Sequence, residues 1–217
     1  MMVQPLLQAS GLSRYFGQFQ AIQTLDLEIH PGEIVVLTGP NGAGKTTLLL
    51  CLSGLLRPTS GNILVEGYDL YQDEREAKQR LAFVPDVPRF YQELTAWEHL
   101  RFISMAFGIE QEWERQAARI FKEFGLWENR DMYPHNLSRG MRLKLGIALA
   151  LIRPFKVLIM DEPTSALDAE STGVLLEKMI SLRDMGCAIL LTSHDLSLME
   201  AVSAKRWRMD RGQLEVD

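Results

Sequence analysis

The run Gly39-Pro40-Asn41-Gly42-Ala43-Gly44-Lys45-Thr46 constrains this chain more than any other feature in it. It is a glycine, four intervening residues and then Gly-Lys-Thr. The apolar run Ile34-Val35-Val36-Leu37 precedes it, and a helical pattern from Thr47 to Leu55 follows. A strand that turns through such a loop into a helix gathers backbone N–H groups around an anion. The glycines let the main chain close on it, and the helix start adds unsatisfied donors and a favourable dipole. Lys45 supplies a point charge for β- and γ-phosphate oxygens, and the Thr46 hydroxyl suits Mg2+. Phosphate binding by Gly39 to Thr47 is the first expectation.

The flanking pattern predicts an α/β fold. Val157-Leu158-Ile159-Met160 and Ala188-Ile189-Leu190-Leu191 are further short apolar runs, suited to strands of a parallel sheet covered on both faces. Leu25-Asp26-Leu27-Glu28-Ile29 alternates apolar and acidic residues, as a half-buried strand does. Helical patterns lie between, including Thr172–Asp184 with Val174, Leu175, Met179 and Leu182 near one face. From Thr95 to Leu126 strand signals stop. Two helical faces take over there: Trp97, Leu100, Ile103 and Met105, then Trp113, Ala117, Ile120 and Phe124. This reads as a helical insert, with Pro85, Pro88 and Pro134 marking its joints.

Two more segments carry chemistry. The run Val157–Met160 ends in Asp161-Glu162-Pro163-Thr164, so Asp161 emerges at a strand's C-terminal end, where open α/β sheets bind ligands. A carboxylate there can hold Mg2+ through its water shell, and Glu162 is placed to orient or deprotonate an attacking water. In Asn136-Leu137-Ser138-Arg139-Gly140-Met141, Ser138 reads as the N-cap of a helix carrying Met141, Leu145, Ala148, Leu149 and Ile152. That end suits an anion, though capping alone explains the serine equally well.

Composition narrows the partners. With 47% apolar residues the chain can build a core, and 23 basic against 28 acidic side chains leave a net charge of −5. That balance argues against nucleic-acid binding through the phosphate backbone. Cys51 and Cys187 have no metal-like spacing and read as reduced core thiols. No apolar run reaches the ~18 residues of a membrane span, and the start, Met1 to Pro5, lacks a secretory signal. The chain is expected not to cross a bilayer by itself.

In order along the chain, Gly39–Thr47, Leu137–Met141, Leu158–Pro163, Ser165–Asp168 and Thr192-Ser193-His194 resemble the motifs of ATP-binding cassette (ABC) ATPases, from about Leu12 to Gly212. The resemblance implies a P-loop, RecA-like core with an antiparallel β subdomain and a helical subdomain at about residues 88–145 of a single domain, 1–217. It implies ATP and Mg2+ as ligands, and two subunits sandwiching two ATP molecules. Phe16 corresponds to the aromatic that stacks on adenine, with Tyr15 as the adjacent alternative. Ser138 and Gly140 match the contacts to the γ-phosphate bound by the partner, Asp168 the loop at the dimer interface, and His194 the switch histidine. His30, His99 and His135 match no motif and read as structural or solvated.

The chain departs from the family pattern in places. Phe83-Val84-Pro85-Asp86 puts Asp86 where a glutamine is usual, which makes Asp86 a candidate Mg2+ or water ligand. The signature reads Leu-Ser-Arg-Gly-Met, similar to exporter-type members. Little chain follows Gly212, so no C-terminal regulatory domain is expected.

The implied function is ATP hydrolysis driving transport, in the export direction, through separate integral-membrane subunits. The implied location is the cytoplasmic face of the membrane, in a homodimer or heterodimer. Phe90 to Trp97 is the candidate contact with the membrane subunit. A soluble ABC-type ATPase acting on the ribosome or DNA is the alternative, and a P-loop kinase would need neither Ser138–Met141 nor His194.

Overall fold

Unbroken apolar runs become central strands here and alternating runs become half-covered ones, and that division places the site. The structure, a computed structural model, describes residues 4–109 and 111–216. In chain order its strands and helices are β1 (Leu7–Phe16), β2 (Phe19–Ile29), β3 (Ile34–Thr38), α1 (Lys45–Leu52), β4 (Ser60–Val65), β5 (Tyr68–Asp69), α2 (Glu74–Arg80) and β6 (Leu81–Val84). Then come α3 (Ala96–Ala106), α4 (Trp113–Glu123), α5 (Arg139–Leu151), β7 (Val157–Met160), α6 (Ala169–Asp184), β8 (Ala188–Thr192), α7 (Leu196–Ala201), β9 (Lys205–Asp210) and β10 (Gln213–Val216). The chain divides into two compact units, one of residues 1–83, 155–162 and 178–217, the other of 84–154 and 163–177.

The first unit holds the strands. One sheet runs β10-β9-β3-β8-β7-β6, with β3 parallel to both β8 and β9 and β7 parallel to β8. Every residue of β3, β7 and β8 is buried, as covered parallel strands require. Leu37 of β3 pairs with Thr192, and Met160 of β7 with Leu191, so the C-terminal ends of these strands lie side by side. The second sheet, β2-β1-β4-β5, is antiparallel. In β2, Leu25, Leu27 and Ile29 are buried while Asp26 and Glu28 are exposed, the alternation expected from sequence. Leu7, Ile22, Ile29, Leu37, Leu48, Leu49 and Ile63 join both sheets and α1 in one core. Burying each such side chain contributes about 1.5–3 kcal/mol before entropy is counted.

The second unit is helical. A capping box starts α3: the Thr95 hydroxyl accepts the Glu98 N–H while the Glu98 carboxylate accepts the Thr95 N–H. Trp97 packs against Trp113, Phe121 and Trp127 at centroid separations of 5.3, 5.9 and 5.8 Å. The unit includes 163–177, so the segment after Glu162 and the start of α6 belong with these helices.

Helix ends differ from the sequence expectation. The helix after the glycine loop runs Lys45–Leu52, not Thr47–Leu55, and the chain turns out of it at Gly54, whose φ is +74°. The helix expected from Thr172 begins at Ala169, because Asp168 accepts the Ser171 N–H at 2.8 Å and caps it. Cys51 and Cys187 are buried free thiols, and burial pushes the Cys51 thiol up to about 11. Among the described residues no helix is long and apolar enough to cross a membrane.

Candidate functional site

The loop after β3 is shaped by close main-chain packing. Gly39 and Gly44 have φ of +144° and +106°. A β-carbon on Gly39 would overlap the Met209 carbonyl of β9, and one on Gly44 would stand 2.6 Å from the Ala21 carbonyl oxygen of β2. No other residue type fits at either position. Gly42 (φ +79°) has nothing within 4 Å of its β-carbon position, and Pro40, Asn41 and Gly42 are exposed, so the loop is anchored on one side and open on the other. Ala43 is held by the Gly212 N–H, which donates to its carbonyl. The Lys45 ammonium lies in the loop, donating to the carbonyls of Gly39 (2.6 Å) and Pro40 (3.2 Å). The loop, the start of α1 with Thr46 and Thr47, and this cation form a cradle suited to phosphate oxygens.

Beside it, at the ends of β7 and β8, is a compact polar cluster. Asp161 is 5% exposed, and each of its oxygens accepts a hydroxyl: Thr46 Oγ1 donates to Oδ2 at 2.8 Å, Thr192 Oγ1 to Oδ1 at 2.6 Å. With its proton turned to Asp161, the Thr46 oxygen keeps its lone pairs for a cation. A carboxylate and a hydroxyl oxygen, exposed at Thr46, fit the all-oxygen preference of Mg2+. Glu162 follows with φ +46°, a conformation few side-chain-bearing residues adopt. Its N–H donates to Thr192 Oγ1 at 2.8 Å, and its carboxylate lies 3.3 Å from His194 Nε2. The cluster can hold a hard cation and present a carboxylate and an imidazole next to it.

The first unit thus brings together Gly39–Thr47, Asp161, Glu162 and His194. It also carries Phe16, 47% exposed at the end of β1, with the Arg14 guanidinium 4.4 Å from its ring centre; Tyr15 is 40% exposed. Ser138, Gly140, Asp168 and Asp86 lie in the second unit. The Ser138 hydroxyl accepts the Met141 N–H and caps α5. A β-carbon on Gly140 would meet the Ala166 carbonyl oxygen at 2.5 Å, so the signature glycine lets α5 touch the 163–168 segment. Asp168 pairs with Lys144 at 2.7 Å, and that contact with the Ser171 cap holds its carboxyl well below the usual range. Asp86 Oδ1 accepts from Arg139 (3.2 Å) and Ser165 (3.0 Å).

Thr192 and Lys144 carry contacts that sequence reasoning did not assign. Thr192 had a partial signal, a hydroxyl ending the apolar run Ala188–Leu191, but its partners on Asp161 and Glu162 come from the neighbouring strand. Lys144 had none. Of the remaining histidines, His99 is buried, with Nδ1 donating to the Thr95 carbonyl and Nε2 accepting the Tyr91 N–H. His135 stacks on Tyr133, and His30 lies 3.6 Å from Glu28.

The sequence matches the family model described as ABC transporter over residues 22–165. The glutamine transport ATP-binding protein GlnQ of Escherichia coli (strain K12) is 33% identical over 217 residues, 98% of this chain and 90% of that protein. The SkfA peptide export ATP-binding protein SkfE of Bacillus subtilis (strain 168) is 33% identical over 195 residues, 89% of this chain and 81% of that one. A solved ATP-binding subunit of an ABC transporter superposes with a TM-score of 0.90 at 32% identity, covering 97% of this chain and 90% of its own. A dimeric ATP-binding cassette in a post-hydrolysis state with ADP and Pi gives 0.84 at 22% identity, covering 97% and 98%, a likeness of fold. The loop, the Asp161 cluster and these matches agree: the chain belongs to the ABC transporter family and is an ATP-binding, ATP-hydrolysing cassette of it.

Proposed function

We propose that this cassette binds Mg-ATP at Gly39–Thr47 and couples its hydrolysis to export through separate integral-membrane subunits, at the cytoplasmic face of the membrane, as one of a pair of ATP-binding subunits. The observation that carries the reading is the Asp161 cluster, where two hydroxyls fix a buried carboxylate beside the lysine-bearing loop.

In this account the loop amides and Lys45 hold the β- and γ-phosphates. Phe16 offers the ring face away from Arg14 to adenine. Thr46 and Asp161 hold Mg2+, which supplies positive charge to the phosphate oxygens as they become more negative. Glu162 takes a proton from the water whose oxygen attacks the γ-phosphorus, while the bond to the departing ADP oxygen breaks. His194, in contact with Glu162, keeps that carboxylate aimed. Ser138 and Gly140 serve the ATP of the paired subunit, and Asp168 stands at that interface. Asp86 offers a further oxygen to Mg2+ or water, a charged one where an amide is usual.

Export is supported by the Leu-Ser-Arg-Gly-Met signature and by relatives named for peptide export and Nod factor export. For the membrane subunit, the contact lies around Tyr91, 59% exposed, with Phe102 and Met105 of α3 exposed at 45% and 65%. Trp97, by contrast, is committed to the aromatic cluster of its own unit. Tagged chain recovered from detergent-solubilised membranes tests the coupling. Co-elution with an integral-membrane protein that changes its ATPase rate supports export, and co-elution with ribosomes or DNA instead would support the soluble alternative.

A further inference from the structure

Thr192 ends β8 fully buried, where a side chain packed among apolar neighbours would be expected to be apolar itself. Its hydroxyl is instead used twice. The single O–H donates to Asp161 Oδ1 at 2.6 Å, and a lone pair of the same oxygen accepts the Glu162 N–H at 2.8 Å. One atom therefore ties the residue proposed to hold the cation to the residue proposed to activate water. Thr46 closes the chain from the other side through Asp161 Oδ2. The link matters because Glu162 sits at φ +46°, a backbone state that persists only where the surroundings hold it. A β-branched residue in a strand keeps χ1 stiff, so the hydroxyl is pre-aimed and not free to rotate away.

We propose that Thr192 is a positioning residue for ATP hydrolysis: its hydroxyl sets the rotation of the Asp161 carboxylate and fixes the backbone turn that aims Glu162. Without it, Asp161 keeps only the Thr46 hydroxyl of the two that fix its plane, and the Glu162 N–H loses its acceptor. The loop amides and Lys45 are untouched. The loss is thus confined to the metal-dependent and chemical steps, while nucleotide affinity without metal is preserved. The inference rests on the catalytic role proposed for Glu162.

Four forms of the full chain test it: parent, Thr192→Val, Thr192→Ser and Glu162→Gln. Each is measured for ATPase kcat, half-saturating Mg2+, ATP affinity in EDTA, and folded fraction by circular dichroism. Outer-shell partners of metal ligands typically carry 10–100-fold effects, so Thr192→Val is expected to lower kcat by about 10–100-fold and to raise half-saturating Mg2+, with ATP affinity in EDTA within about threefold of parent. Thr192→Ser keeps the hydroxyl and is expected to stay within about threefold of parent in kcat and Mg2+ response, although it loses a methyl group from the core. The Ser-against-Val split is what packing alone cannot produce. Parent-like kcat in folded Thr192→Val overturns the inference, as does an equal fall in both variants that tracks loss of folded protein. Glu162→Gln separates the two claims. Its turnover at the parent rate overturns the Glu162 reading and this inference with it, whereas an inactive Glu162→Gln beside an active Thr192→Val overturns the Thr192 role alone.

Discussion

Replacing Gly39 by alanine tests whether the phosphate loop is held by main-chain contact with β9. Gly39 has φ +144°, and an added β-carbon would overlap the Met209 carbonyl, which sits in a paired strand and cannot swing away. Two costs add: about 1–3 kcal/mol for a side chain in a forbidden backbone region and about 1–3 kcal/mol for overpacking, giving about 2–6 kcal/mol. Gly42→Ala is the control. Its φ of +79° carries the conformational strain, about 1–2 kcal/mol, but its β-carbon position meets nothing within 4 Å. The difference between the variants isolates the overlap, about 1–3 kcal/mol. With a urea slope of about 2 kcal/mol per molar, Gly39→Ala should unfold about 0.5–1.5 M earlier than Gly42→Ala in the absence of nucleotide. Midpoints that coincide, or a more stable Gly39→Ala, would refute the claim that β9 fixes the loop.

Lys45→Ala removes the ammonium that lies in the loop, and ATP affinity should fall by about 10–100-fold, as for a lost charge-assisted hydrogen bond; parent-like affinity by titration calorimetry would contradict the phosphate assignment. Burial lowers the pKa of His99 from its ordinary 6.5, so the fold favours the neutral ring. Its contribution to stability should be complete above about pH 6.5 and fade as pH falls below it, and His99→Asn should flatten that slope in urea midpoints taken at about pH 7.5 and 5.5. Asp86→Asn should weaken Mg2+-dependent turnover more than ATP affinity if the carboxylate reaches the metal or water. Overlapping Mg2+ titrations would leave Asp86 as the fastener of Arg139 and Ser165 seen in the second unit.

Local order was legible wherever one segment carries its own reason. The strand, glycine loop and helix around Gly39–Lys45 could be read because buried apolar runs and φ-permissive residues are adjacent in sequence. Asp161 could be read because four apolar residues end in it, and β2 because burial on one face imposes alternation. What escaped depends on distant partners. The donors to Asp86 lie 53 and 79 positions away, and nothing near Asp86 announces them. Apolar periodicity starts α6 at Thr172, and it says nothing of the cap that Asp168 supplies ahead of Ala169. Thr192 was part of a recognised motif, yet its function depends on which strand lies beside β8, and that is set by the sheet order.

Water activation for ATP hydrolysis is assigned to Glu162, the carboxylate that follows Asp161 at the end of β7. Phosphate release from Mg-ATP by the purified full chain, parent against Glu162→Gln, tests it most directly, with ATP binding measured on the same samples. The parent should release phosphate steadily and Glu162→Gln about 10^2–10^4-fold more slowly, while still binding ATP because loop, Lys45 and Asp161 are unchanged. Equal release from both would contradict it.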